Sequence, residues 1–381
     1  MTEREAYIAL NGVAGVGAVF VRHGIETLGS AVAILSAGAG ALETIPGVGK
    51  PRAAMLAEKL RLADYAQQLT LADKHQARII TMRDADYPAS LKSLNDPPLV
   101  LYVRGDIAAA ASPCLAMVGT RSPSSYGRET ARRFAFQFAQ MGVTIVSGLA
   151  RGIDTESHAA TIKGQGKTIA VIGSALDCLY PAENKTLAES IVASGGALIS
   201  EYPWGRQADR QTFPMRNRIV SGLSLGVLVV EAGLSSGTLI TASHALDQGR
   251  SVMAIPGRID SPASQGCHKL IKDGACLVDS IDDVLEEIKS SGVQEFRSPE
   301  GKRTAFGDKD SLSTGQKTRA TLPPLDETER ILLNILGKDE MALEDLMASS
   351  NLPAGIVTAR LMNLEMKRLV RRLPGHLIKA L

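Results

Sequence analysis

The chain has 381 residues, 45% of them apolar, enough to bury more than one core. A formal charge of +2 creates no whole-chain positive field, so any binding of polyanions has to be local. The apolar runs fall well short of the roughly 20 residues of a membrane span, the start MTEREAYIAL lacks a signal-peptide apolar stretch, and four scattered cysteines without CxxC spacing suit a reducing compartment, so a cytoplasmic location is expected.

Residues 1–70 read as a helical domain rich in small residues. Within it, VAGVGAVF (from Val13) and ETIPGVGKPRAAML (from Glu43) each carry a Gly-Val-Gly turn leading into a helix, the helix-hairpin-helix pattern. Such a turn can offer backbone N–H groups to a phosphate, or it can simply pack two helices. The sequence leaves both open. The segment YPASLKSLNDPPLVLYVRGD (from Tyr87) holds the turn Asp96-Pro97-Pro98 and then the strand LVLYV, a lead-in that extends the sheet to come.

Residues 71–287 form the expected central domain. Five apolar runs, starting at Cys114, Thr144, Thr168, Val227 and Ser251, each break into a glycine-centred polar turn. Helices are expected at 125–141, 155–163, 184–193 and 238–248, with a short one near 215–221. Alternating strands and helices predict an α/β fold with an extended Rossmann-like parallel sheet. In such sheets the turns after the strands' carboxyl ends gather on one edge, where ligands bind. Here that edge carries Gly119, Arg121, Ser122, Ser125, Gly148, Arg151, Asn184, Lys185 and Ser236, a donor-rich set that suits an anion.

In VGTRSPSSYG, Gly119 permits a sharp turn, Ser124 or Ser125 caps the next helix, and Arg121 offers five N–H donors at the helix start. In SGLARGID, Arg151 either faces the ligand or pairs with Asp154 or Glu156. Lys185 lies just inside a helix start, where the dipole disfavours a cation unless an anion sits nearby. Arg216 and Arg218 in FPMRNRIVSGL are two apart on a helix and cannot share a face, so one points at the crevice and the other stabilises structure. Phe134 and Phe138 lie at i, i+4 and read as core.

GQGKT (from Gly164) lacks the first P-loop glycine and precedes a strand instead of following one. His158, His244 and His268 share no metal-ligand spacing, and HExxH is missing. No catalytic residue, metal or cofactor is therefore expected. Aromatics make up only 4% of the chain, so contacts to a nucleic acid should be mostly to phosphate.

Residues 288–323 are polar and aperiodic, as in a disordered linker. Residues 324–381 read as three helices followed by a hairpin around Pro374-Gly375, the order of a winged helix, with Asp326 as the first cap. Seven acids and two bases at 326–345 oppose six bases and one acid at 354–381. The basic half suits either duplex DNA phosphate or a protein contact, with Arg360, Asn363, Lys367 and Arg368 as the polar side chains of the third helix.

Taken together and in order, VGTRSPSSYG, SGLARGID, IAVIGSALDCLYPAENKTL, LISEYPWG, FPMRNRIVSGLS, VVEAGLSSGTLITASHALDQGR, VMAIPG and GCHKLIKDGA resemble the DNA-processing protein A family (DprA, also called Smf). The resemblance implies a non-enzymatic protein that binds single-stranded DNA through its Rossmann domain, loads the recombinase RecA in natural transformation or recombination, and forms a homodimer. It maps a DNA-contacting arginine on Arg121 and a lysine on Lys185. Two alternatives compete. EAGLSSGTLIT is similar to the PGGxGTxxE motif of phosphoribohydrolases that cleave nucleoside monophosphates, but Thr241 stands where their glutamate falls and Glu231 precedes the turn. A winged-helix transcription regulator with a ligand-sensing domain is the other.

Overall fold

A computed structural model describes residues 1–290 and, further on, 326–336, 341–350 and shorter stretches and single positions between 352 and 380. From residue 291 on, the expected linker lies outside the described residues. The chain divides into two compact units, Met1–Ala305 and Phe306–Leu381.

Six helices open the first unit: α1 (Glu3–Asn11), α2 (Ala18–Leu28), α3 (Ala31–Ser36), α4 (Ala39–Glu43), α5 (Lys50–Arg61) and α6 (Tyr65–Lys74). Thr2 and Glu5 close a reciprocal capping box on α1. The two Gly-Val-Gly turns lead directly into α2 and α5 and are tied together, because Arg52 donates to the carbonyls of both Gly15 (3.2 Å) and Gly47 (3.3 Å). After β1 (Arg78–Thr81), α7 (Ala89–Lys92) and β2 (Val100–Gly105), the chain enters the repeating part of the sheet. Ile8, Leu10, Ile34, Leu42 and Leu56 share one buried core with Val100 and Tyr102 of β2. The helical segment is thus packed on the sheet's edge strands. Trp204 seals this junction, stacking on His75 at 4.8 Å and meeting Tyr102 edge-on at 5.6 Å.

The repeating part runs β3 (Cys114–Val118), α8 (Ser125–Gln140), β4 (Thr144–Ser147), α9 (Ile153–Lys163), β5 (Thr168–Val171), α10 (Lys185–Ala193), β6 (Ala197–Ser200) and α11 (Thr212–Gly222). It continues through β7 (Gly226–Val229), α12 (Thr238–Asp247), β8 (Ser251–Ala254), α13 (Gln265–Lys272), β9 (Cys276–Leu277) and α14 (Ile281–Ser290). The nine strands lie in the order β1-β2-β6-β5-β4-β3-β7-β8-β9, parallel from β6 to β9 and antiparallel at β1 and β2. The five expected runs are β3, β4, β5, β7 and β8, and LVLYV falls on β2. β6, preceded by Gly195-Gly196, and two-residue β9 are not among the expected runs.

Alternation along the strands fills two cores. Ala116 and Val118 face Ile219 and Ala242 of α11 and α12, whereas Leu115 and Met117 face Phe134, Phe138 and Ile288 of α8 and α14. Burial on both faces explains why the strands read as continuous apolar runs. Successive crossovers from β3 travel toward β6, and the chain then returns past β3 to lay down β7 and β8 on its other side. The reversal beside β3 splays the loops apart, and a crevice opens there.

In the second unit, Asp326 caps α15 (Glu327–Leu336), accepting from the Glu329 N–H at 2.8 Å. β10 (Met341–Ala342), α16 (Leu343–Ser350), β11 (Val370–Leu373) and β12 (Leu377–Ala380) follow, with antiparallel strands in the order β10-β12-β11. Leu332, Leu346, Val357, Leu361 and Ile378 form its core. The expected third helix lies mostly outside the described residues, including Asn363, Lys367 and Arg368. Arg360 pairs with Asp326 at 3.0 Å instead of standing free.

His158 on α9 is fully buried. The Thr168 hydroxyl donates to the Ile145 carbonyl and accepts from His158 Nδ1 at 2.7 Å, which leaves Nε2 without a partner among the described residues. Burial, assisted by the Arg216 charge, holds its pKa down to about 3. The unfolded chain takes up this proton near pH 6.5 and the folded chain does not, so stability falls as the pH drops from about 6.5 toward 3, by up to about 1.4 kcal/mol per pH unit. His158→Gln should remove that component of the slope in urea titrations between pH 7 and 4. Parallel pH profiles for the two proteins would refute this reading of His158.

Candidate functional site

The crevice has a volume of about 520 Å³ and is built from the loops after β3, β4 and β7, with one face of α11 as its wall. Arg216 of α11 forms its base, only 4% exposed. Its Nη1 donates to the carbonyls of Gly148 (2.7 Å) and Val171, and its Nε to Asn217 Oδ1 (3.1 Å). A side chain at Gly148 would collide with the guanidinium, since a Cβ there would lie 2.5 Å from Nη2 and 2.8 Å from Asp154 Oδ2. Asp154, itself buried, accepts from the N–H groups of Gly148 (3.0 Å) and Ala150 (3.3 Å). Burial pushes the Asp154 carboxyl upward, opposed by the Arg216 charge. Burial likewise lowers Arg216 to about 10, offset in part by Asp154, so the guanidinium stays charged at neutral pH. Repulsion from Arg121 adds to that lowering, which places the two arginines in one field.

Arg121 stands exposed on the β3–α8 loop with its guanidinium 5.0 Å over the Phe213 ring. Arg210 also lines the crevice. The N-terminus of α8, expected to favour a ligand anion, already has one of its own. Ser124 caps the helix by accepting from Gly127 N–H at 3.0 Å, while its own N–H and hydroxyl donate to the Glu231 carboxylate at 2.8 and 2.7 Å. Ser125 is the first helical residue and points no contact at the cap, and Ser122 is exposed on the loop. On the opposite side, Ser236 sits before α12, its Oγ accepting from the Thr238 N–H at 3.3 Å and donating to the Thr238 hydroxyl. Buried Thr241 lines the crevice one turn into α12.

The fold therefore brings Gly119, Arg121, Gly148, Arg216 and Ser236 around one space. Arg151 borders an adjoining recess, paired with Glu183 and not with Asp154 or Glu156, and this carboxylate raises its pKa. The Asn184 amide is buried and donates to Leu149 O and Thr155 Oγ1, both at 2.9 Å, so it braces the β4–α9 loop. Lys185 is exposed on the first turn of α10 and does not line the crevice. Arg218 turns away, held by Glu201 (2.7 Å) and Asp96 (2.8 Å). Sequence reasoning passed over Asp154 as a crevice residue, along with Arg210 and Phe213, and over Tyr180 in the adjoining recess. Phe213 lies in a motif noted for its arginines, while Arg210 sits in a loop with no pattern to single it out.

A family described as DNA recombination-mediator protein A matches residues 78–289, and the DprA winged helix domain matches residues 316–376. Protein Smf of Escherichia coli is 40% identical over 294 residues, spanning 77% of this chain and 75% of its own. The DNA processing protein DprA of Bacillus subtilis is 44% identical over 216 residues, 56% of this chain and 72% of its own. Among solved structures, DprA from Streptococcus pneumoniae superposes with a TM-score of 0.64 at 37% identity, covering 75% of this chain and 98% of that one. DNA processing protein A from Helicobacter pylori, solved to describe its single-stranded DNA binding mode, gives 0.50 at 28% identity, covering 56% of this chain and 96% of that one.

The two crevice arginines should separate cleanly in stability. Arg216→Ala strips the buried Asp154 carboxylate of its compensating cation and should cost about 3 kcal/mol or more in urea unfolding. Arg121→Ala, at an exposed site, should stay within about 0.5 kcal/mol of the wild type. Equal small effects would show that Arg216 has no structural role.

Proposed function

This chain belongs to the DNA recombination-mediator protein A family, and on that premise we propose that its crevice grips the phosphate backbone of single-stranded DNA. The observation that carries the reading is an imbalance of satisfied charge. Asp154, the carboxylate that lines the crevice, is held by backbone N–H groups, and Glu231, behind it at the α8 cap, by the N–H and hydroxyl of Ser124, whereas Arg121 stands exposed to solvent beside a buried Arg216 that is charged at neutral pH. An entering phosphate meets donors without having to displace an acid. Ser236 and the first turn of α12 supply further donors on the far side. Lys185 lies outside the crevice, where it would contact the strand further along its path.

The function that follows is protection of single strands and loading of the recombinase RecA on them, in natural transformation or recombination, by a homodimer in the cytoplasm. The relatives named for DNA processing and the solved relative with a single-strand binding mode support this reading. The winged-helix unit would add a contact to duplex DNA or to a protein. The chain is proposed to act without catalysis. Glu231 is engaged in holding the α8 cap, and Thr241 stands where a nucleotide-cleaving relative of this fold would need a carboxylate.

Titrating labelled single- and double-stranded oligonucleotides across a salt series tests the proposal. Sequence-tolerant preference for the single strand is expected. Arg121→Ala and Lys185→Ala should each weaken it and reduce the slope of log K against log salt by about 0.7. Folded mutants with wild-type affinity and slope would refute the assignment. Incubation with nucleoside monophosphates should release no free base. Release that disappears in Glu231→Gln would restore the enzyme alternative.

A further inference from the structure

Three arginines line the crevice, Arg121, Arg210 and Arg216, against one carboxylate, Asp154. Asp154 and Arg216 are both buried, and the charge of each offsets the burial of the other. Arg121 and Arg210 are exposed, and neither forms an ion pair among the described residues. They stand on different loops, Arg121 after β3 and Arg210 between β6 and α11. Arg121 lies over Phe213 in the first turn of α11, and Arg210 precedes that turn by two residues.

The loop before α11 is stapled around Arg210. Asp209 Oδ1 accepts from the N–H groups of Gln211 and Thr212, both at 2.8 Å, and the Asp209 N–H donates to the Thr212 hydroxyl at 3.0 Å. These bonds fix the residues on both sides of Arg210. The other Asp209 oxygen pairs with Arg206 at 2.5 Å. The Thr212 and Gln211 N–H groups hold the Asp209 carboxyl below its usual range, so it stays ionised. Further back, the Ala175 N–H donates to the Arg206 carbonyl at 2.8 Å and the Gly205 N–H to Asp177 at 3.1 Å, which tie the loop to the segment after β5. The acid beside Arg210 in the chain is thus engaged by the helix start and by Arg206. Arg210 keeps an uncompensated charge just ahead of a helix N-terminus, where the dipole disfavours a cation. An anion at the crevice relieves both.

We propose that the crevice holds two phosphates of one strand, the first at Arg121 and the second at Arg210, with Asp209 as the positioning residue for the second contact. The proposal rests on the reading of the crevice as a single-strand site and sets how many phosphates it grips. Each phosphodiester carries one negative charge, so a single phosphate at Arg121 would leave Arg210 unbalanced. A guanidinium also suits phosphate oxygens, to which it can present two N–H groups side by side.

The test is equilibrium titration of the full-length protein with a thymidine homopolymer across a salt series. Arg210→Ala should weaken binding about fivefold at about 0.1 M salt and lower the slope of log K against log salt by about 0.7, the value for one phosphate contact on a single strand, with the loss shrinking as salt rises. Arg210→Lys should keep the slope. Arg206→Ala removes a charge from the same loop, but a paired one that does not line the crevice, and should leave the slope unchanged. Asp209→Ala should weaken binding when Arg210 is present and have no further effect in Arg210→Ala. Asp209→Asn, whose amide oxygen still accepts from both N–H groups, should bind like the wild type. An unchanged slope in Arg210→Ala, or an equal fall in Arg206→Ala, overturns the second contact, and the crevice reading stands if Arg121→Ala still weakens binding. Equal losses from Asp209→Ala with and without Arg210 overturn the positioning role. Failure of the wild type to bind the strand overturns the single-strand reading itself.

Discussion

The arrangement depends on a buried cation. Arg216 is nearly inaccessible, yet it remains charged, because carbonyls at the ends of two strands and the nearby Asp154 carboxylate replace the water it has lost. That substitution works only if the β4 end comes close, and Gly148 is what lets it do so. The guanidinium thereby locks α11 against the ends of β4 and β5, and the same lock holds Phe213 and Asn217 at the crevice wall. Structure and electrostatics are one feature here. The group that fixes the wall also gives the crevice its sign.

Glu231 plays the complementary part. The glycine turn after β3 resembles a phosphate-binding loop, and its helix would attract an anion. The chain supplies that anion itself, and the carboxylate at the end of β7 ties the neighbouring strand to the β3–α8 loop. The donors left lining the crevice then include Arg121 and those on the α12 side. This also explains why an acid close to the crevice does not by itself argue for catalysis: its oxygens are occupied by the cap.

The rest of the first unit reaches the site through α11. Arg218 lies one turn face away from Arg216 and is bound by Asp96 of the lead-in turn and Glu201 beyond β6. Burial opposes its charge, and the two carboxylates raise its pKa in spite of that. The lead-in strands in turn carry the helical segment, through the core shared with Tyr102 and the Trp204 junction. A path of contacts thus runs from the helix-hairpin-helix turns to the crevice wall without any loop serving as the sole connection.

The sequence by itself determined the alternation of strands and helices, the edge on which the turns gather and the donor-rich character of that edge. These follow from local rules: apolar period, glycine at turns and caps at helix starts. It also determined that Arg216 and Arg218 diverge, since a separation of two on a helix sets their faces apart. Which of the two faces the crevice was decided only by tertiary structure, because the answer depends on where the carbonyls of Gly148 and Val171 and the acids Asp96 and Glu201 arrive from distant parts of the chain. The same holds for Glu231 reaching Ser124, for Arg151 choosing Glu183, and for the pairing of Tyr180 with Phe213. Each is a contact between residues brought together by the crossover order of the sheet, and that order leaves no periodic trace in the residues themselves.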